Sequence, residues 1–293
     1  MDRQSTRAPL YGAQNAGILY SAVCVVPIVL STVVILLLSA AGIEAKAEAN
    51  WYRYLSYFLP QLSFALCLIV MLRVRKPQTK STFYVKVKPS FWAIALLLSL
   101  GTLFGLSQLN TWFIKALESI GLKQDAVVVP TMYGWGEYLL SLFVIAVLPA
   151  VMEETVFRGL ILGGLKEGGT AVGVLLSGAL FSLFHQNPAQ TPYQFVCGCL
   201  FALLAVRSHS ILVPVCMHFV NNAFILSATF FGMPALPLAV TLPVGLCALV
   251  GGTLWLIFSG KNQPKTGSLK PFYLAASVGI LYSAVAWIVN AVV

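Results

Sequence analysis

The residues from Tyr138 to Leu165 read YLLSLFVIAVLPAVMEETVFRGLILGGL. No charge interrupts the first half, so no polar face is set aside for water. A helix that crosses the hydrocarbon core of a bilayer needs about 20 predominantly apolar residues. This run exceeds that and predicts a helix long enough to project from the membrane. Glu153, Glu154 and Arg158 interrupt its second half. Ionisable groups in hydrocarbon are costly, so they are rare unless they are paired or face a polar interior.

Working outward, the same texture continues almost end to end. Hydrophobic residues make up 59% of the 293 residues and charged residues 9%, against roughly 25% charged in an ordinary soluble domain. So few polar residues cannot cover a water-soluble fold of this size. Lipid is the solvent that fits. About nine spans are expected, near residues 18–43, 54–72, 91–109, 138–165, 171–186, 193–206, 211–231, 236–258 and 271–293, with the sixth shorter than the rest. The fold class is all-α, a polytopic integral membrane helical bundle of eight or nine transmembrane helices. The chain divides into a polar tail (1–16), N-terminal helices with an amphipathic connector (17–137), a chemically distinct core (138–232) and C-terminal helices (233–293). The connector between Asn110 and Glu137 reads as either an interfacial helix or lid, or a surface loop.

The net charge of +9 sits in short connectors. No basic module with interleaved aromatics accompanies it, so nucleic acid is not an expected partner. Positive residues instead set orientation. With the N-terminus in the cytoplasm, the inside segments hold most of the lysines and arginines, including those between Arg73 and Lys88 and the connector residue Arg207. His209 reads as a solvated loop residue. Ala-Lys-Ala at 45–47 resembles a signal-peptidase site, but the apolar run before it exceeds the roughly 7–15 residues of a signal core, which reads as a retained anchor. Cys24, Cys67, Cys197, Cys199, Cys216 and Cys247 lie in apolar stretches without zinc or redox spacing, and are expected to behave as small hydrophobes.

Besides Glu153, Glu154 and Arg158, the expected spans place His185 in the next helix and His218 with Asn222 in a third. Glu153 lies about 15 residues before the turn near Gly168, and His185 about 16 after it. At about 1.5 Å per residue both sit roughly 22–25 Å from the turn, at matching depth. Residues four apart share a helix face. Arg158 is therefore expected to neutralise Glu154, while Glu153 points about 100° away, toward a cavity. The same spacing sets Phe181 beside His185, and His218 beside Asn222. Asn221 reads as a bond to a neighbouring helix.

These groups suit hydrolysis. A carboxylate in a poorly solvated site is a competent general base for water, and a neighbouring histidine can hold the same water and later protonate the leaving amine. A second histidine and an asparagine amide suit an oxyanion. No Gly-x-Ser-x-Gly elbow supports a serine nucleophile.

Three motifs then carry a resemblance. Glu153-Glu154-Thr155-Val156-Phe157-Arg158, Phe181-Ser182-Leu183-Phe184-His185 and His218-Phe219-Val220-Asn221-Asn222 resemble, in order, the E-E-x-x-x-R, F-x-x-x-H and H-x-x-x-N/D motifs of the CAAX protease and bacteriocin-processing (CPBP) family, which includes type II CAAX prenyl endopeptidases. The resemblance covers roughly residues 138–231. It implies an intramembrane endopeptidase reached from the cytoplasmic side, acting on a membrane-associated, prenylated or bacteriocin-like substrate. It implies that Glu153 and His185 activate water, that His218 and Asn222 stabilise the oxyanion, and that Glu154, Arg158 and Phe181 support the site. The family has been described both as metalloproteases and as metal-independent glutamic proteases. Glu153, His185 and His218 would be the ligands if zinc were bound, although no His-Glu-x-x-His pattern is present. The alternatives are a proton-coupled transporter, disfavoured by the lack of an internal repeat of these motifs, and a non-catalytic immunity or partner-binding protein.

Overall fold

A computed structural model describes residues 12–75, 86–122 and 128–292. Most of the polar tail and the middle of the basic run, residues 76–85, lie outside the described residues. The described chain is helical throughout, with no strand. In order, the helices are α1 (Ala13–Ala40), α2 (Asn50–Arg75), α3 (Pro89–Ser119), α4 (Trp135–Gly168), α5 (Thr170–Phe184), α6 (Thr191–Ser208), α7 (Leu212–Phe230), α8 (Leu238–Phe258) and α9 (Lys270–Val292). Eight are long and apolar enough to cross a membrane. The protein is a multi-pass membrane bundle.

The short helix is α5, with 15 residues, rather than the sixth. At about 1.5 Å per residue it spans about 22 Å, less than the roughly 30 Å hydrocarbon core. Pro188 explains the stop: it restricts Asn187 before it and has no N–H to continue a helix. Gln186 turns the chain with φ +51°. Pro192, in contrast, lies in the first turn of α6, where a missing N–H costs nothing. The sixth helix therefore runs over Thr191–Ser208, 18 residues, longer than the expected 193–206. The first part of the 110–137 connector is also helical, because α3 continues to Ser119.

Close packing positions the middle of the bundle. A Cβ built on Gly198 of α6 would lie 2.8 Å from the Gly178 Cα of α5, so only glycine allows these two backbones to meet. Phe64 of α2, Phe157 of α4 and Phe184 of α5 pack as a set of edge-on and tilted rings. The outside is apolar: Leu274, Val278 and Leu281 on one stripe of α9 are all exposed, Leu281 by 68%. A soluble protein rarely shows so large a patch to water.

Arg207 differs from the connector charge expected of it. It is buried, and its guanidinium donates to the carbonyls of Leu256, Ile257 and Lys261 and to Asn262 Oδ1. It caps the C-terminal end of α8, where carbonyls lack intrahelical donors. His209 is exposed, as expected. All six cysteines are free, and Cys247 faces outward rather than into the core.

Candidate functional site

The site begins with one i,i+4 pair on α4. Arg158 Nη1 donates to Glu154 Oε1 at 2.8 Å, with both side chains fully buried. Arg158 Nη2 donates to the Gly198 carbonyl at 2.9 Å, a reach that the Gly178–Gly198 contact permits. The guanidinium carbon also lies 4.3 Å from the Phe181 ring centroid and 5.2 Å from that of Phe201. A planar cation stacked on aromatic faces keeps part of its stabilisation away from water. Arg158 thus ties α4 to both α5 and α6. The Thr155–Ile161 segment that carries it is a π-helical turn, a distortion that often marks functional positions.

Glu154 has a second partner beyond the reach of local spacing. His218 Nδ1 on α7 lies 3.1 Å from Glu154 Oε1. A carboxylate only accepts, so Nδ1 carries the proton and Nε2 remains to address a ligand. Phe201 stacks on the His218 ring at 5.2 Å with planes 15° apart. Glu154 is therefore the hub that joins Arg158 to His218.

Glu153 faces elsewhere, as its angular offset requires. It is 6% exposed, and its Oε1 accepts a hydrogen bond from Gln61 Nε2 on α2 at 3.1 Å. Its other oxygen, Oε2, is buried and has no hydrogen-bond partner among the described residues. A buried polar atom left in this way costs about 1–3 kcal/mol, more when it is charged. His185 sits at the end of α5, its ring 4.7 Å from that of Phe181. Its Nδ1 lies 2.8 Å from the Phe181 carbonyl, which can only accept, so Nε2 is left as an acceptor. The Phe181 ring lies against both imidazoles, its centroid 6.2 Å from that of His218 as well, and packs edge-on against Phe157 of α4. Side chains from α4, α5 and α7 thus share one neighbourhood, in which His185 is partly exposed.

Asn222 has a task the sequence did not disclose. Its Nδ2 donates to the Ile145 carbonyl at 3.0 Å. Ile145 lies in a π-helical stretch, Leu142–Val147, just before Pro149, which has no N–H to bond back into the helix. Asn222 supplies a donor there and retains a second amide hydrogen. Asn221 bonds across helices, accepting from Tyr193 Oη at 2.8 Å. Gln61 and Tyr193 are the members of the polar network that the sequence reading missed. Their only signal was polarity within an apolar span.

Glu153, Glu154, Arg158 and His218 are buried, whereas His185 and Asn222 are partly exposed. Two surface cavities, of about 290 and 630 Å3, are lined by residues such as Phe91 and Trp255 or Gln14 and Lys270, and neither includes a cluster member. Among the described residues no group of three His, Cys, Asp or Glu side chains is arranged to hold a metal ion. Glu153, His185 and His218 therefore do not fit a three-ligand zinc site among the described residues.

Fold and cluster together define an all-α membrane protein with a carboxylate–histidine centre inside its bundle. In comparison with protein-family models, residues 135–224 match the family described as "Type II CAAX prenyl endopeptidase Rce1-like". That part runs from the start of α4 into α7 and contains all three motifs. Searches of curated proteins and of solved structures found no match.

Proposed function

We propose that the protein is an intramembrane endopeptidase that hydrolyses a peptide bond of a membrane-associated peptide or protein with water activated by Glu153 and His185. The observation that carries this reading is the unpartnered Glu153 Oε2 on the helix beside His185, whose own free ring nitrogen is an acceptor. A water offered two acceptors donates a hydrogen bond to each, and as its oxygen bonds to the scissile carbonyl carbon one of its protons passes to the Glu153–His185 pair. The tetrahedral oxyanion then needs donors. Nδ1 of His218 stays bonded to Glu154, so in its protonated form the ring supplies one from Nε2, and the second amide hydrogen of Asn222 supplies another. Collapse returns the water-derived proton through His185 to the leaving amine. Arg158 and the aromatic rings around it hold Glu154 and His218 in register. The basic connectors argue for a site approached from the cytoplasm.

The test uses purified protein in proteoliposomes supplied with membrane-derived polypeptides, and with a CAAX peptide in prenylated and unprenylated forms. Mass spectrometry reads the products. Wild type is expected to release defined fragments, and Glu153→Gln and His185→Ala to lose about 10²–10⁴-fold in rate while remaining folded. The same fragments at the same rate from either variant would exclude this mechanism. Preference between the two CAAX peptides reports on prenyl recognition.

A further inference from the structure

Gln61 lies on α2, outside the segment that matches the family, yet it is the protein group that holds the proposed base. We infer that Gln61 is a positioning residue: its amide clamps one oxygen of Glu153 so that the other is presented to the reacting water. This rests on the hydrolytic reading above.

Four observations carry it. Gln61 is only 6% exposed, in a helix whose neighbouring positions are apolar. Its Nε2 donates to Glu153 Oε1 at 3.1 Å. Because a carboxylate accepts and does not donate, the amide orientation is fixed, with Gln61 Oε1 turned to the other side. Gln61 Oε1 and Glu153 Oε2 are both buried without a hydrogen-bond partner among the described residues. The bonded atoms of the two side chains face each other, and each keeps one unsatisfied acceptor. Buried acceptors of this kind call for a small donor, and water is the donor that the reaction consumes.

A carboxylate without the clamp rotates about its terminal torsion, which is broad and loosely restrained. Misplacement of a base by a fraction of an ångström lowers the rate without weakening the hold on the rest of the substrate. An interhelical bond serving stability alone would lower the melting temperature and leave the turnover of folded protein unchanged.

The experiment compares wild type, Gln61→Met and Gln61→Glu in proteoliposomes, with Glu153→Gln as reference. Gln61→Met keeps length and removes the donor; Gln61→Glu keeps shape but sets a second carboxyl against Glu153, so that the two share one proton and Glu153 is no longer a free base. Both are expected to lose about 10–100-fold in kcat with KM within about twofold. The infrared carboxylate band that Glu153→Gln abolishes is expected to shift in Gln61→Met. If Gln61→Met fails to fold, Gln61→Glu is read in its place. Full kcat and an unshifted band in a folded variant, with Glu153→Gln inactive, overturn the inference alone. Equal product from Glu153→Gln and wild type overturns the hydrolytic reading and the inference with it.

Discussion

At the scale of single residues, the charges in α4 divide by helix angle into two tasks. Glu154 and Arg158 share a face and pair at 2.8 Å, and Glu153 is turned to α2 and Gln61. Removing one member of a buried pair leaves the other uncompensated, which typically costs 3–5 kcal/mol. Arg158→Met is therefore expected to destabilise the protein by about that amount, more than Glu154→Gln, as read from unfolding in detergent. Equal stability of Arg158→Met and wild type would show that the pair is not held as described. The i,i+4 part of this network was legible in the sequence, because helix periodicity alone links residues 154 with 158 and 181 with 185. The Glu154–His218 and Gln61–Glu153 bonds were not, since they join positions 64 and 92 apart and depend on which helices become neighbours. Asn222 shows the same limit: its bond goes to the carbonyl of Ile145, 77 positions away in another helix.

At the scale of elements, hydropathy located the nine helices of the described residues but not the break that matters most. α5 stops at Phe184, so His185 stands where helical backbone gives way to a turn. Backbone without helical bonding is tolerated at membrane depth only where protein or a polar cavity satisfies it. Here α9 does part of this: Asn290 Nδ2 donates to the Gln186 carbonyl at 2.8 Å, and Trp287 Nε1 to Thr191 Oγ1 at 2.7 Å. Asn187 and Thr191 complete the turn locally. These bonds hold the residue next to His185. Trp287→Phe combined with Asn290→Ala is expected to lower kcat about tenfold through displacement of the imidazole, with the bundle still folded and KM little changed. Unaltered kcat would mean that the turn holds His185 without α9.

At the scale of the whole molecule, the candidate site belongs to the entire bundle. The family match covers about a third of the chain, but Gln61 comes from α2 before it and Trp287 and Asn290 from α9 after it. Composition announced the membrane fold at once, because no other solvent accommodates an exterior such as that of α9. The assembly of distant helices around one carboxylate is a property of packing, which composition does not encode. The account's central claim is that Glu153 and His185, from two helices, act on one water. Groups that serve a single step as a unit are not additive when removed. The direct measurement is the cleavage rate of Glu153→Gln, His185→Ala and the double variant in proteoliposomes under one set of conditions. The account predicts that the double variant is no slower than the slower single variant. Losses that multiply, or a single variant that keeps the wild-type rate, would contradict it.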